Sequence, residues 1–140
     1  MLKSCSRCGK IHDFNYNCYK NRQIRGKSNA DKFRKTYQWH KKSADIRDRD
    51  KHLCKVCLAN IFNTTMQFNY NSLEVHHIVP LEEDLTLSLD DDNLITLCCY
   101  HHKLADKKII PRYILTELLG DNVDYDEIRR KVEANIPPTF

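Results

Sequence analysis

The sequence predicts a small α+β domain, and three observations predict it. Leu73 to Val79 sets β-branched and apolar residues against polar ones, as a half-buried strand does, and Asn93 to Cys98 can form a second short strand. Segments on both sides carry apolar residues at helical spacing. Cysteine and histidine pairs at metal-ligand spacing stand at the junctions between these elements.

Taken in order, residues 1–20 read as a zinc-knuckle-like segment. Cys5, Cys8, His12 and Cys18 have the spacing C-x2-C-x3-H-x5-C, and Gly9 eases the turn after the second cysteine. The intervals are too short to enclose an apolar core, so a bound Zn2+ would have to supply the folding free energy, on the order of 10 kcal/mol. This resembles a zinc knuckle in which each of the two later intervals differs by one residue. Residues 21–52 form a basic linker and helix. From Asp31 to Asp50, Phe33 with Tyr37 and Trp39 with Ile46 share helical spacing. Lys32, Arg34, Lys35, Lys41, Lys42, Arg47 and Arg49 occupy the other positions and are expected to face backbone phosphates. One helix or two would satisfy the pattern.

Residues 53–108 hold the core. Cys54-x2-Cys57 forms a tight knuckle, and residues 58–72, rich in Asn and Thr, form a loop. The strand from Leu73 ends at Pro80, which cannot donate to a ladder. An acidic crossing over residues 81–92 leads to the second strand, and His101 to Lys108 follow as a helix. Residues 109–140 are helical packing. Pro111 suits a first turn, Gly120 a stop, and Asp124 with Glu127 a capping box.

Charge is uneven. The chain carries a formal +4. Tyr19 to Lys55 hold thirteen Lys and Arg against four Asp, so 13 − 4 = +9, leaving 4 − 9 = −5 for the remainder. A basic block on a slightly acidic chain points to a polyanion. With seven cysteines and no apolar run long enough for a signal peptide or membrane span, the expected compartment is intracellular and reducing, where thiols bind metal rather than pair.

Two sites result. Cys54, Cys57, Cys98 and His101 give C-x2-C, a long insert and C-x2-H, a closed structural zinc set that joins the strand pair to the upstream helix. Spacing alone equally admits Cys99 with His102. The second site is open. His76 and His77, adjacent on a strand, point to opposite faces, so one can hold an ion while the other meets substrate. His102 can join His76 at the same ion. Two imidazoles suit a hydrolytic divalent cation, Mg2+, Mn2+, Ni2+ or Zn2+, and His77 titrates near neutrality as a base should.

Val75-His76-His77-Ile78-Val79-Pro80, Asp92-Asn93-Leu94-Ile95-Thr96-Leu97-Cys98 and His101-His102-Lys103-Leu104-Ala105-Asp106 together resemble the HNH endonuclease family with its ββα-metal (His-Me finger) fold. Ile46 to Asp50 ahead of Cys54-x2-Cys57 fit the same pattern. More narrowly the chain resembles the zinc-bearing HNH proteins of bacteriophages and their bacterial relatives, over residues 39–108. The resemblance implies that His76 and His102 ligate the catalytic ion and that His77 activates the attacking water. It implies that Asn93 braces the loop and orients the base, or assists the metal. It favours Cys98 and His101 for the zinc set, although the family often has cysteine where His101 stands. It further implies DNA as substrate, phage packaging (terminase) proteins as partners, and the cytoplasm of a bacterial host as location.

The sequence thus predicts an HNH nuclease that nicks DNA with little sequence dependence. The rival is a non-catalytic zinc protein that binds nucleic acid on the same scaffold. A restriction-type enzyme is a further rival, against which stands the lack of an obvious specificity domain.

Overall fold

The computed structural model describes residues 1–6, 9–16 and 28–135. Cys8 and Cys18, half of the expected N-terminal ligand set, lie outside them, as does the expected linker at 21–27. The described part of the knuckle is an antiparallel hairpin of β1 (Leu2–Ser4) and β2 (Ile11–Asp13), with Lys3 opposite His12. Its turn is closed by backbone N–H groups: Cys5 donates to Lys10 and Gly9 to Cys5, both at 2.9 Å. Gly9 has φ +71°, which a side chain would disfavour.

The basic segment is two helices, α1 (Asn29–Arg34) and α2 (Tyr37–Arg49). Thr36 breaks them apart. Its hydroxyl accepts from Trp39 N at 3.2 Å as the α2 N-cap, an option that hydroxyl residues take in preference to a helix interior. The expected Phe33–Tyr37 face is therefore absent: Tyr37 is exposed, and Phe33 packs on Trp39 with ring centroids 5.5 Å apart.

A short helix α3 (Lys55–Ala59) follows, with Cys54 as N-cap. The central hairpin pairs β3 (Leu73–His77) with β4 (Leu94–Cys98) in antiparallel register, His76 opposite Ile95 and His77 opposite Leu94. β3 ends two residues sooner than the alternation predicts, because Val79 N turns away to Asn93 Oδ1 at 2.7 Å. Asn93 belongs to a 3-10 turn, Asp91–Asn93, that precedes β4 rather than to the strand. Helix α4 (Cys99–Asp106) begins straight after β4, two residues before the expected start at His101.

β4 is buried along its whole length. Ile95 and Leu97 enter a core with Val56, Phe62 and Leu104. Two C-terminal helices, α5 (Arg112–Glu117) and α6 (Tyr125–Asn135), complete it with Ile114, Leu115 and Ile128. Pro111 serves as N-cap of α5, and Asp124 Oδ1 accepts from Glu127 N at 3.0 Å ahead of α6. No helix of the described residues is long and apolar enough to cross a membrane.

α2 is not held by the sulfur cluster, as the spacing suggested, but by its own last residues. The Asp50 carboxylate, buried to 6% exposure, accepts from Thr96 N at 2.9 Å and from Arg49 at 2.9 and 3.0 Å. Arg49 also donates to the carbonyls of Leu94 and Asp91, both at 2.7 Å. Removing one partner of a buried charged pair strands the other, which costs about 3 kcal/mol. Asp50→Ala is therefore expected to lower unfolding stability by about that amount in urea titration, whereas Asp48→Ala, at an exposed site, should shift it by under about 0.5 kcal/mol.

Candidate metal centres

Cys98 closes β4 and caps α4, so the chain reverses at that residue. Successive helical residues point about 100° apart. His101 and His102, one position apart on α4, accordingly enter different sites.

Cys54, Cys57, Cys98 and His101 converge in the interior. Cys57 Sγ and Cys98 Sγ are 3.8 Å apart, and His101 Nδ1 lies 3.5, 3.3 and 3.3 Å from the sulfurs of Cys54, Cys57 and Cys98. A tetrahedron with metal–sulfur bonds of about 2.3 Å has edges of about 3.8 Å, shorter toward nitrogen, so the four atoms already stand where Zn2+ would hold them. All four residues are at most 5% exposed, leaving no open position. His101 Nε2–H donates to the Phe62 carbonyl at 2.9 Å, which turns the Nδ1 lone pair to the sulfurs. Charge tells the same story. Contact with Cys57 and Cys98 pushes the Cys54 thiol up, while contact with Cys54 and Cys57 pulls the Cys98 thiol down. Without a cation the sulfurs cannot all ionise together, and a bound ion removes that conflict. Cys99 stands outside this set, so the register is Cys98 with His101.

The second cluster joins β3 to α4. His76, His102 and Asp106 bring ligand atoms within 4.8 Å of one another. The imidazoles meet edge to face with centroids 5.1 Å apart, and Asp106 Oδ1 lies 3.6 Å from His76 Nδ1 and 3.9 Å from His102 Nε2. Glu74 Oε2 accepts from His102 Nδ1–H at 2.6 Å, leaving Nε2 to face the cluster. The Asp106 side chain is 58% exposed, so unlike the sulfur set this one is open on one side. Burial, with repulsion from His102, pushes His76 down to about 4 against the pull of Asp106. It is neutral at pH 7 and its lone pair is available. The donor set, two imidazoles and a carboxylate with room beyond, fits a divalent cation.

His77 points to the opposite face of the hairpin. Its Nε2–H donates to the Ser88 carbonyl at 3.1 Å, so Nδ1 carries the lone pair. Trp39 stacks on it at 4.7 Å and Phe33 meets it edge-on at 6.0 Å. Burial lowers its pKa, opposed by the Ser88 carbonyl. Asn93 touches neither histidine. Besides accepting from Val79 N, its Nδ2 donates to the Val79 and Leu87 carbonyls at 3.1 and 3.2 Å, closing the 79–93 crossing that carries Ser88.

Sequence reasoning assigned no metal role to Asp106 and did not consider Glu74. Asp106 is four residues after His102 on one helix, a spacing that puts both on one face and could have flagged it. Glu74, two residues before His76 on a strand, shares its face for the same reason. The carbonyls of Phe62 and Ser88 carry no such signal. Of the cations expected to face phosphate, Arg49 is tied to Asp50, Lys42 pairs with Asp91 at 2.7 Å and Arg34 with Asp31 at 3.6 Å. Lys32, Lys35 and Lys41 are exposed, with no ion pair among the described residues.

Two outcomes are expected. Released zinc, read with a chromogenic chelator after denaturation, should fall by one equivalent in Cys98→Ala and stay at the wild-type level in Cys99→Ala. Stability should also fall as pH drops from about 6.5 toward 4. In that window the unfolded chain protonates His76 while the folded chain refuses the proton, on the order of 1 kcal/mol per pH unit. Urea titrations at pH 7, 6 and 5 should show a steeper fall for wild type than for His76→Gln, since the sulfur set is common to both. Parallel slopes would contradict it.

Residues 54–108 match the family model described as HNH endonuclease. No curated protein and no solved structure gives a significant match to the chain. The hairpin and the helix that follows it are consistent with the ββα-metal fold of that family, and the segment from Cys54 to Lys108 is a domain of the HNH endonuclease family.

Proposed function

We propose that this chain is a metal-dependent DNA endonuclease that hydrolyses phosphodiester bonds with a histidine-activated water and little dependence on sequence. The observation that carries the reading is the convergence of His76, His102 and Asp106 in an open cluster, one residue along the strand from an imidazole whose tautomer is already set. In this reading His76, His102 and Asp106 would hold a divalent ion, which would supply positive charge to the phosphate and to the departing oxygen. Glu74 orients His102. Nδ1 of His77 takes the proton from the attacking water, and the Ser88 carbonyl steadies the imidazolium that forms. Asn93 is a positioning residue: it closes the crossing from which Ser88 reaches His77. Lys32, Lys35 and Lys41 supply affinity for the phosphate backbone. With one such site among the described residues, each encounter nicks one strand. If the likeness to phage nucleases extends to role, the partner is a terminase of the packaging motor.

Supercoiled plasmid incubated with Mg2+, Mn2+, Ni2+ or Zn2+ in turn tests the reading. Wild type should convert it to open circles with at least one of these ions. His77→Ala should be slower by about 10^2- to 10^4-fold, with DNA binding unchanged. Equal nicking by both would remove His77 as the base. Binding without cleavage under every ion would favour the non-catalytic rival.

A further inference from the structure

The C-terminal segment looks like packing in the sequence, yet it walls a cleft beside the open cluster. This cavity of about 430 Å³ shares His76 and Asp106 with the ligand set, so whatever fills it lies next to the ion. Its size is within the range of sites that take small molecules or single nucleotides. Ile78, Ile110 and Leu115 form its floor, each at most 5% exposed, and half-buried Pro80 stands at its side. The cations Lys108 and Arg112 and the half-exposed ring of Tyr113 line the same cleft. The Arg112 guanidinium makes a two-point contact with Glu83, at 2.6 and 2.9 Å, and Glu83 lines the same cleft, so a phosphate reaches Arg112 only by displacing that carboxylate. Lys108 pairs with no carboxylate among the described residues, although it lies near enough to Glu83 to help lower that group's pKa.

Glu83 and Asp106 line the cleft too, so the groups open to one nucleotide are the Tyr113 ring for the base and Lys108 for the phosphate, joined by Arg112 once it leaves Glu83. A base stacked and paired in a duplex cannot enter a side cleft without leaving the helix, which costs a few kcal/mol. An unpaired base enters freely, and stacking on an aromatic ring is indifferent to sequence.

We propose that this cleft binds an unpaired nucleotide next to the scissile phosphate, with Tyr113 stacking on its base and Arg112 and Lys108 holding its phosphate. The chain then prefers single-stranded or gapped DNA over intact duplex. The proposal rests on the nuclease reading for its substrate, but its test reads binding and so stands apart from catalysis.

Fluorescence anisotropy of labelled DNA of one sequence, single-stranded, fully duplex or with a one-nucleotide gap, is measured without added divalent ion. Wild type should bind the single-stranded and gapped forms more tightly than duplex. Tyr113→Ala should weaken those two by about tenfold or more and leave duplex binding within about twofold, which erases the preference. Arg112→Ala should weaken binding and reduce the salt slope by about one. Zinc content and circular dichroism establish that each variant is folded. Tyr113→Ala binding single strands like wild type, or wild type preferring duplex, would overturn the proposal. If plasmid nicking is present in that case, the nuclease reading survives. Loss of the preference in Tyr113→Ala with no nicking by wild type under any ion keeps the cleft and sinks the nuclease. Wild type that binds none of the three forms overturns the cleft proposal and leaves the nuclease reading to the plasmid assay.

Discussion

Three sulfurs and one imidazole nitrogen meeting at tetrahedral distances are the constraint on which the rest of the domain depends. They tie the start of α3 to the last residue of β4 and the first turn of α4, two segments more than forty residues apart in sequence. Neither knuckle has enough apolar surface of its own to fix that distance, and zinc binding in small sites contributes on the order of 10 kcal/mol. Once Cys98 and His101 are held, the rotation of α4 about its axis is set. His102 and Asp106 must then face β3, where His76 stands, and Cys99 must face elsewhere. The closed site therefore builds one side of the open one.

The histidines are prepared in the same way. His101 gives its Nε2–H to Phe62, His77 to Ser88, and His102 gives its Nδ1–H to Glu74. An imidazole has one lone pair when neutral, and tying down the other nitrogen decides where it points. Two of the three partners are backbone carbonyls in loops, so the loops over 60–72 and 79–93 are parts of the sites rather than spacers. Asn93 holds the second of them closed.

Charge on the basic segment divides into two jobs. Arg49 and Asp50 dock α2 on β4, and that docking brings Trp39 onto His77. Lys32, Lys35 and Lys41 stay exposed, with no ion pair among the described residues. A cation count along the sequence cannot separate these jobs, because a guanidinium bonded to a buried carboxylate and one in water look alike in composition.

The sequence by itself determined the α+β order, the two-strand hairpin with its following helix, and the identity of the ligand types, because alternation, helical periodicity and C-x2-C spacing are local properties of the chain. It also brought forward His76 and His102, two of the three residues whose ligand atoms converge in the open cluster. Only the tertiary structure decided between Cys98 with His101 and Cys99 with His102, since both pairs have the same local spacing and differ only in which face of α4 turns to Cys54 and Cys57. Only it split the basic segment at Thr36, where a hydroxyl cap outcompeted an apolar repeat, added Asp106 to the open cluster and set Glu74 against His102. Only it drew Lys108, Arg112 and Tyr113 to the edge of that cluster. Those placements arise from contacts between segments distant in the chain, and no pattern within a single segment encodes them.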